Sequence, residues 1–186
     1  MELVVKLDYI LMELINVNLT AHFLDSFFVY WTDVQKTPLF QLGIVPLILF
    51  FMIRRRGALI GISLFLTTII LTMLCDFINS ELLKEFFQRA RPDMVKLPFE
   101  LQQYGVGYGG FSFPSSHAAD SFCMATFISL YFPKMGPYVL IMAFLNAYSR
   151  VYIGVHFPFD ILAGAVFGAS LAYGASKIFS RVKAFK

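Results

Sequence analysis

The chain has 186 residues, of which 58% are hydrophobic and only 15% charged, with a net charge of +3 at neutral pH. A soluble domain averages about half apolar and about a quarter charged, so a mean hydropathy of +0.70 excludes an ordinary soluble globule. The small net charge gives no basis for nucleic-acid binding, and Cys75 and Cys123 sit inside apolar runs, as buried thiols that say nothing of redox compartment.

From the N-terminus, residues 1–36 set Leu3, Leu7, Ile10, Leu11, Leu14 and Ile15 against Glu2, Lys6, Asp8 and Glu13. That spacing predicts an amphipathic helix lying in the membrane interface. A short segment from Leu19 to Tyr30 carries His22 and Asp25 and ends at Trp31. It reads as a second interfacial or re-entrant helix, with His22 structural. No short apolar core with a small-residue cleavage site opens the chain, so no removable signal peptide is expected.

Five spans are then predicted, at 38–53, 57–78, 117–133, 136–153 and 159–179. Some are shorter than the roughly 20 residues of a spanning helix, so flanking polar residues must complete them. The predicted fold is all-α: a polytopic membrane helix bundle of about five transmembrane helices, or six if 19–31 also crosses. No repeat or long linker divides it, so residues 1–186 form a single domain. Within it, 1–36 are interfacial helices, 37–179 the transmembrane bundle and 180–186 a basic cytoplasmic tail.

Orientation follows from the short loops. Arg54, Arg55 and Arg56 join the first two spans, Lys134 joins the third and fourth, and Lys177, Arg181, Lys183 and Lys186 follow the fifth. Short basic loops stay in the cytoplasm. Residues 79–116 and 149–160 then share the external side, where their charges need another explanation.

Three polar stretches meet there. In Ser149 to Asp160, SRVYIGVHFPFD, His156 and Asp160 are four apart, which on a helix places them one turn apart on one face. A carboxylate so placed holds one imidazole nitrogen and leaves the other with its lone pair outward. Arg150 arrives across a bend that Gly154 permits. In KEFFQRARP, Lys84 and Arg91 are two helical turns apart and project from nearly one face, with Arg89 pointing elsewhere and a helix end expected before Pro92. Snorkelling to headgroups is the competing explanation for these cations. In SFPSSHAAD, Pro114, Ser115 and Ser116 mark a helix start with a serine cap, and such a start binds anions through its free N–H groups. His117 lies in its first turn, with Asp120 three residues on; a plain capped helix with an incidental histidine would look the same. The preceding GVGYGG, 105–110, reads as a flexible loop.

Together these stretches supply Lys84, Arg91, Arg150, two hydroxyls, a helix N-terminus, two histidines and a carboxylate that orients one of them. Three cations repel a metal ion and attract a multiply charged oxyanion, and phosphate fits best. No metal site and no cofactor are expected. Two histidines in different surroundings can divide phosphoryl transfer into nucleophile and proton donor.

Lys84-(six residues)-Arg91-Pro92, Pro114-Ser115-Ser116-His117 and Ser149-Arg150-(five residues)-His156-(three residues)-Asp160 resemble the three-part signature of the phosphatidic acid phosphatase type 2 superfamily. That superfamily includes integral-membrane lipid phosphatases and soluble vanadium haloperoxidases, and hydropathy excludes the latter. One departure is Ser116, where the family usually has glycine.

The resemblance implies a metal-independent phosphatase. In it His156 attacks phosphorus to form a phosphohistidine, Asp160 orients His156, and His117 protonates the leaving oxygen and then activates water. Lys84, Arg91, Ser115, Ser116 and Arg150 would hold the phosphate. The implied substrate is a membrane lipid phosphate or diphosphate: lipid A 1-phosphate, phosphatidylglycerophosphate or polyprenyl diphosphate. The stretch Phe113–Asp120 is most similar to bacterial lipid A 1-phosphatases. The implied location is the bacterial inner membrane, with the site facing the periplasm or cell exterior. A lipid phosphotransferase using the same site and a non-enzymatic anion transporter are the alternatives.

Overall fold

The computed structural model describes residues 2–104 and 109–179, and the regular structure of those residues is helical throughout. Most of the glycine-rich loop at 105–110 and the basic tail at 180–186 fall outside the described residues.

Helix α1, Glu2–Glu13, runs on through a π turn at Leu14–Asn18. Of its charged residues Asp8 is turned into the protein, while Glu2 and Lys6 are exposed. Asp8 and Met12 are the buried residues of α1, while Leu3, Leu7 and Ile10 are exposed. Helix α2, His22–Trp31, has ten residues and is about 15 Å long, too short alone for a bilayer core of about 30 Å. It packs on the bundle through Phe28, whose ring lies 4.6 Å from that of Tyr152 and 5.2 Å from that of Tyr148.

The bundle proper comprises α3 (Val45–Arg56, preceded by a π turn at Phe40–Ile44), α4 (Ala58–Phe77), α6 (Ser116–Tyr131), α7 (Gly136–Tyr152) and α8 (Pro158–Phe179). These helices occupy the five stretches expected to span. Two stretches, Ala58–Met94 and Pro158–Phe179, are long and apolar enough to cross a membrane by themselves. The outer surface is strongly apolar: Leu59 is 83% exposed, Ile70 66% and Val166 59%. A surface of that kind is stable in lipid and aggregates in water.

At the centre stands α6, packed against α4, α7 and α8. Small residues bring α6 and α8 together: a Cβ on Gly164 would lie 2.4 Å from the Ser115 carbonyl oxygen, and one on Gly168 1.9 Å from that of Ala119. Only glycine permits backbones this close, as at small-residue crossings of membrane helices generally. The approach sets the register of the two helices, and so carries the start of α6 against the start of α8. There the Ser115 N–H donates to the Asp160 carbonyl at 3.0 Å.

After α4 the chain continues through a π turn at Ile78–Leu83 into α5, Lys84–Phe87, and stops at Gln88, which is left-handed at φ 47°. The expectation that Lys84 and Arg91 share a helical face is therefore corrected. Arg91 itself is extended, at φ −75° and ψ 162°, as the residue before a proline prefers.

Candidate active site

The site forms where the loop between α7 and α8 meets the strand-like segment around Arg91 and the start of α6. Gly154, at φ 82°, makes the bend after α7; a Cβ there would lie 2.7 Å from the Gln102 carbonyl oxygen. The bend delivers His156, Phe157 and Pro158 in succession. Because Pro158 opens α8, His156 stands just before the helix and does not share a helical face with Asp160, as the four-residue spacing had suggested. Asp160 instead reaches back from the first turn: its Oδ2 accepts the Phe157 N–H at 2.9 Å, in the manner of a capping box, and faces His156 Nδ1 at 3.4 Å.

This arrangement fixes the imidazole by both nitrogens. With Nδ1 carrying its proton toward Asp160, Nε2 presents a lone pair, and Arg91 Nη1 lies 3.3 Å from it. His156 is buried, and burial pushes its pKa down to about 4 although the Asp160 carboxylate opposes the shift. The ring is therefore neutral near pH 7, the state a nitrogen nucleophile needs.

The cations surround this nitrogen. Arg91 is 5% exposed; besides His156 it donates to the carbonyls of Val155 at 3.0 Å, Gly110 at 3.1 Å and Gly109 at 3.3 Å. Arg150 is also buried, its Nη1 donating to Thr32 Oγ1 at 2.7 Å from the end of α2. Lys84 is partly buried and lies near enough to Arg91, Arg150, Asp76 and Asp120 to interact electrostatically.

The start of α6 completes the arrangement. Ser115 is the N-cap by backbone, yet neither serine side chain caps the helix, contrary to the expected serine cap. Ser115 Oγ is buried and has no hydrogen-bond partner among the described residues. Ser116 Oγ is engaged by Asn79 Nδ2 at 2.9 Å and lies 3.2 Å from Ser80 Oγ, so it points toward α4 and its extension. His117 lines a cavity of about 470 Å³ whose walls are largely apolar, including Phe40, Ile48, Met124, Ile128, Val139 and Met142. It also lies close enough to Arg150, His156 and Lys84 to interact with them electrostatically.

All eight residues expected from the sequence thus fall in one region, although the Ser116 hydroxyl is turned to Asn79 and Ser80. Two residues were not anticipated. Arg89, expected to point away, donates to Asp160 Oδ1 at 2.7 Å and also pairs with Asp8. Asp8 comes from α1. The sequence grouped it with Glu2, Lys6 and Glu13, and its burial is what sets it apart from them.

Relatives carry names consistent with this chemistry. A lipid A 4'-phosphatase of Bacteroides thetaiotaomicron is 38% identical over 98 residues, covering 50% of this chain and 44% of that protein. An undecaprenyl-diphosphatase of Sulfolobus acidocaldarius is 32% identical over 131 residues, 69% of this chain and 60% of that one. The chain spans about half the length of the curated relatives it matches. The crystal structure of a transmembrane PAP2 type phosphatidylglycerolphosphate phosphatase from Bacillus subtilis superimposes with a TM-score of 0.70, covering 100% of this chain and 90% of that one at 24% identity, so the fold is shared. Residues 60–184 match the PAP2 superfamily, and the chain belongs to it.

Proposed function

We propose that the protein is an integral-membrane lipid phosphatase that works through a phosphohistidine on His156. The observation that carries this reading is the His156 ring: a buried neutral imidazole with Asp160 behind Nδ1 and a guanidinium at Nε2. In-line phosphoryl transfer requires nucleophile and leaving group on opposite sides of phosphorus. His117, on the wall of the apolar cavity, stands where a lipid alcohol or phosphate would leave, and His156 stands away from that wall. Nε2 attacks phosphorus, the bond to the lipid oxygen breaks, and His117 gives that oxygen its proton. His117 then takes a proton from water, which attacks the phosphohistidine and releases inorganic phosphate. Lys84, Arg91, Arg150, Ser115 Oγ and the Ser116 amide bind the phosphoryl oxygens, supplying the neutralisation that a metal gives elsewhere.

The apolar cavity suits a substrate whose tail stays in the bilayer. Lipid A 1-phosphate is the favoured substrate class, with phosphatidylglycerophosphate and polyprenyl diphosphate as the competing ones; named relatives act on lipid A, phosphatidylglycerophosphate and undecaprenyl diphosphate. The test is phosphate release by the detergent-purified protein from each of the three lipids, with and without a chelator. Release of inorganic phosphate that survives chelation is expected, fastest with the lipid A phosphate. Phosphoryl groups appearing on an acceptor lipid with no free phosphate would make it a phosphotransferase. Activity lost on chelation and restored by a divalent ion would overturn the metal-free mechanism.

The site faces the periplasm or exterior of a bacterial inner membrane, and the basic loop at Arg54–Arg56 supports that orientation. Single cysteines replacing Lys96 and Arg55, both exposed, provide the test in a background lacking Cys75 and Cys123. An impermeant thiol reagent applied to intact cells should label position 96 and spare position 55. The reverse pattern would invert the orientation.

A further inference from the structure

The two oxygens of the Asp160 carboxylate have separate partners. Oδ2 serves His156 Nδ1 and the Phe157 N–H, while Oδ1 accepts from Arg89 Nη1 at 2.7 Å. The other terminal nitrogen of Arg89, Nη2, donates to Asp8 Oδ2, and the guanidinium carbon sits 4.2 Å from the centre of the Phe157 ring. Asp8 is 1% exposed, and its Oδ1 accepts the Phe159 N–H at 2.9 Å. Arg89 is thus held on three sides, by two carboxylates and an aromatic face, with a side-chain exposure of 26%. Among the described residues its hydrogen bonds go to carboxylates, whereas Arg91 bonds backbone carbonyls.

A buried carboxylate that orients an imidazole must stay ionised and must not rotate. One that is uncompensated in a dry site takes up a proton or turns toward another donor. The Phe157 N–H fixes only one of its oxygens. We propose that Arg89, itself clamped by Asp8, is a positioning residue that holds the Asp160 carboxylate turned so that Oδ2 meets His156. Helix α1 then supports the catalytic apparatus through the pairing of Asp8 with Arg89. This inference rests on the reading of His156 as nucleophile and Asp160 as its orienter.

The test measures kcat, KM and melting temperature in detergent for Asp8→Asn, Arg89→Gln, Arg89→Lys and the Asp8→Asn/Arg89→Gln double variant, beside His156→Ala. Asparagine at position 8 keeps an acceptor for the Phe159 N–H, removes the charge and puts an amide N–H₂ where an oxygen accepts from Arg89. Misorientation of a reacting group costs about 10²-fold, and that is the kcat loss expected for Arg89→Gln, with KM little changed. Asp8→Asn should lose less, and Arg89→Lys should recover part of the loss, since one ammonium can still approach Asp160. The double variant should resemble Arg89→Gln alone, because Asp8 acts through Arg89 and coupled sites are not additive. An Asp8→Asn loss that persists in full on the Arg89→Gln background would overturn the proposal, as would lowered melting temperatures with unchanged kcat. If Arg89→Gln does not fold, the same comparison is made with Arg89→Lys. Turnover surviving in His156→Ala would sink the nucleophile reading and this inference with it. An inactive His156→Ala beside a fully active Arg89→Gln would sink this inference alone.

Discussion

His156→Ala is expected to form no phosphoenzyme and to lose turnover, whereas His117→Ala is expected to accumulate one. The difference follows from where the two rings stand. His156 is buried against Asp160 and Arg91, with one lone pair available at Nε2. His117 lines the apolar cavity, and the proposed mechanism gives it two tasks: acid in the first half-reaction, base in the second. A substrate with a good leaving group, such as p-nitrophenyl phosphate, needs little help in the first. Water still needs a base in the second, and a positioned acid or base contributes about 10²–10⁴-fold. His117→Ala should therefore slow dephosphorylation more than phosphorylation with that substrate. The measurement is rapid alkaline quench with labelled phosphate followed by peptide mapping. An acid-labile, base-stable label on position 156 is expected in His117→Ala, little in the wild type and none in His156→Ala. Label on His117 or on a serine would reverse the roles.

Local spacing made much of this site readable, and distant partners made the rest unreadable. Pro114 and Pro158 punctuate the chain where α6 and α8 begin, so the positions of Ser115, His117 and Asp160 near helix starts could be read directly. The relation of His156 to Asp160 was read as a helical face because spacing alone does not tell a turn of helix from the turn that leads into one. Arg89 was misplaced for a related reason. Projecting KEFFQRARP onto one helix assumes that it continues to Arg91, but Gln88 at φ 47° turns the chain, so that Arg89 reaches Asp160 while Arg91 reaches His156. Asp8 was unreadable in another way. The apolar pattern of α1 shows that one side seeks lipid, but it does not distinguish a polar side facing water from one facing a guanidinium 81 residues away. Thr32 and Asn79 belong to the same class. Each holds a site element from a distant segment, Thr32 bonding Arg150 and Asn79 bonding the Pro114 carbonyl and Ser116.

Arg91→Lys, a change that keeps the charge, is expected to be nearly as damaging as its removal. Arg91 uses its fork in several directions at once: Nε to Gly110, Nη2 to Gly109, and Nη1 to Val155 with His156 Nε2 at 3.3 Å. Those bonds fix a planar cation at His156 Nε2, the proposed nucleophile. They also tie down the backbone of Val155, immediately before His156. A lysine ammonium has three donors on a flexible stem and cannot reproduce the fork. It would leave the buried Val155 carbonyl without that donor, and as a compact charge it would bind one phosphoryl oxygen where a guanidinium can bind two. Loss of one preorganised donor to a developing oxyanion costs about 10²–10³-fold in kcat, and Arg91→Lys should fall in that range. Vanadate, which adopts the five-coordinate geometry of the transferring phosphoryl group, should inhibit the wild type and bind Arg91→Lys more weakly by a comparable factor. Equal losses in kcat and vanadate affinity would place the guanidinium at the transition state. If Arg91→Lys keeps kcat and vanadate affinity near the wild type, charge alone suffices at this position and the assignment of Arg91 as an oriented phosphate ligand fails.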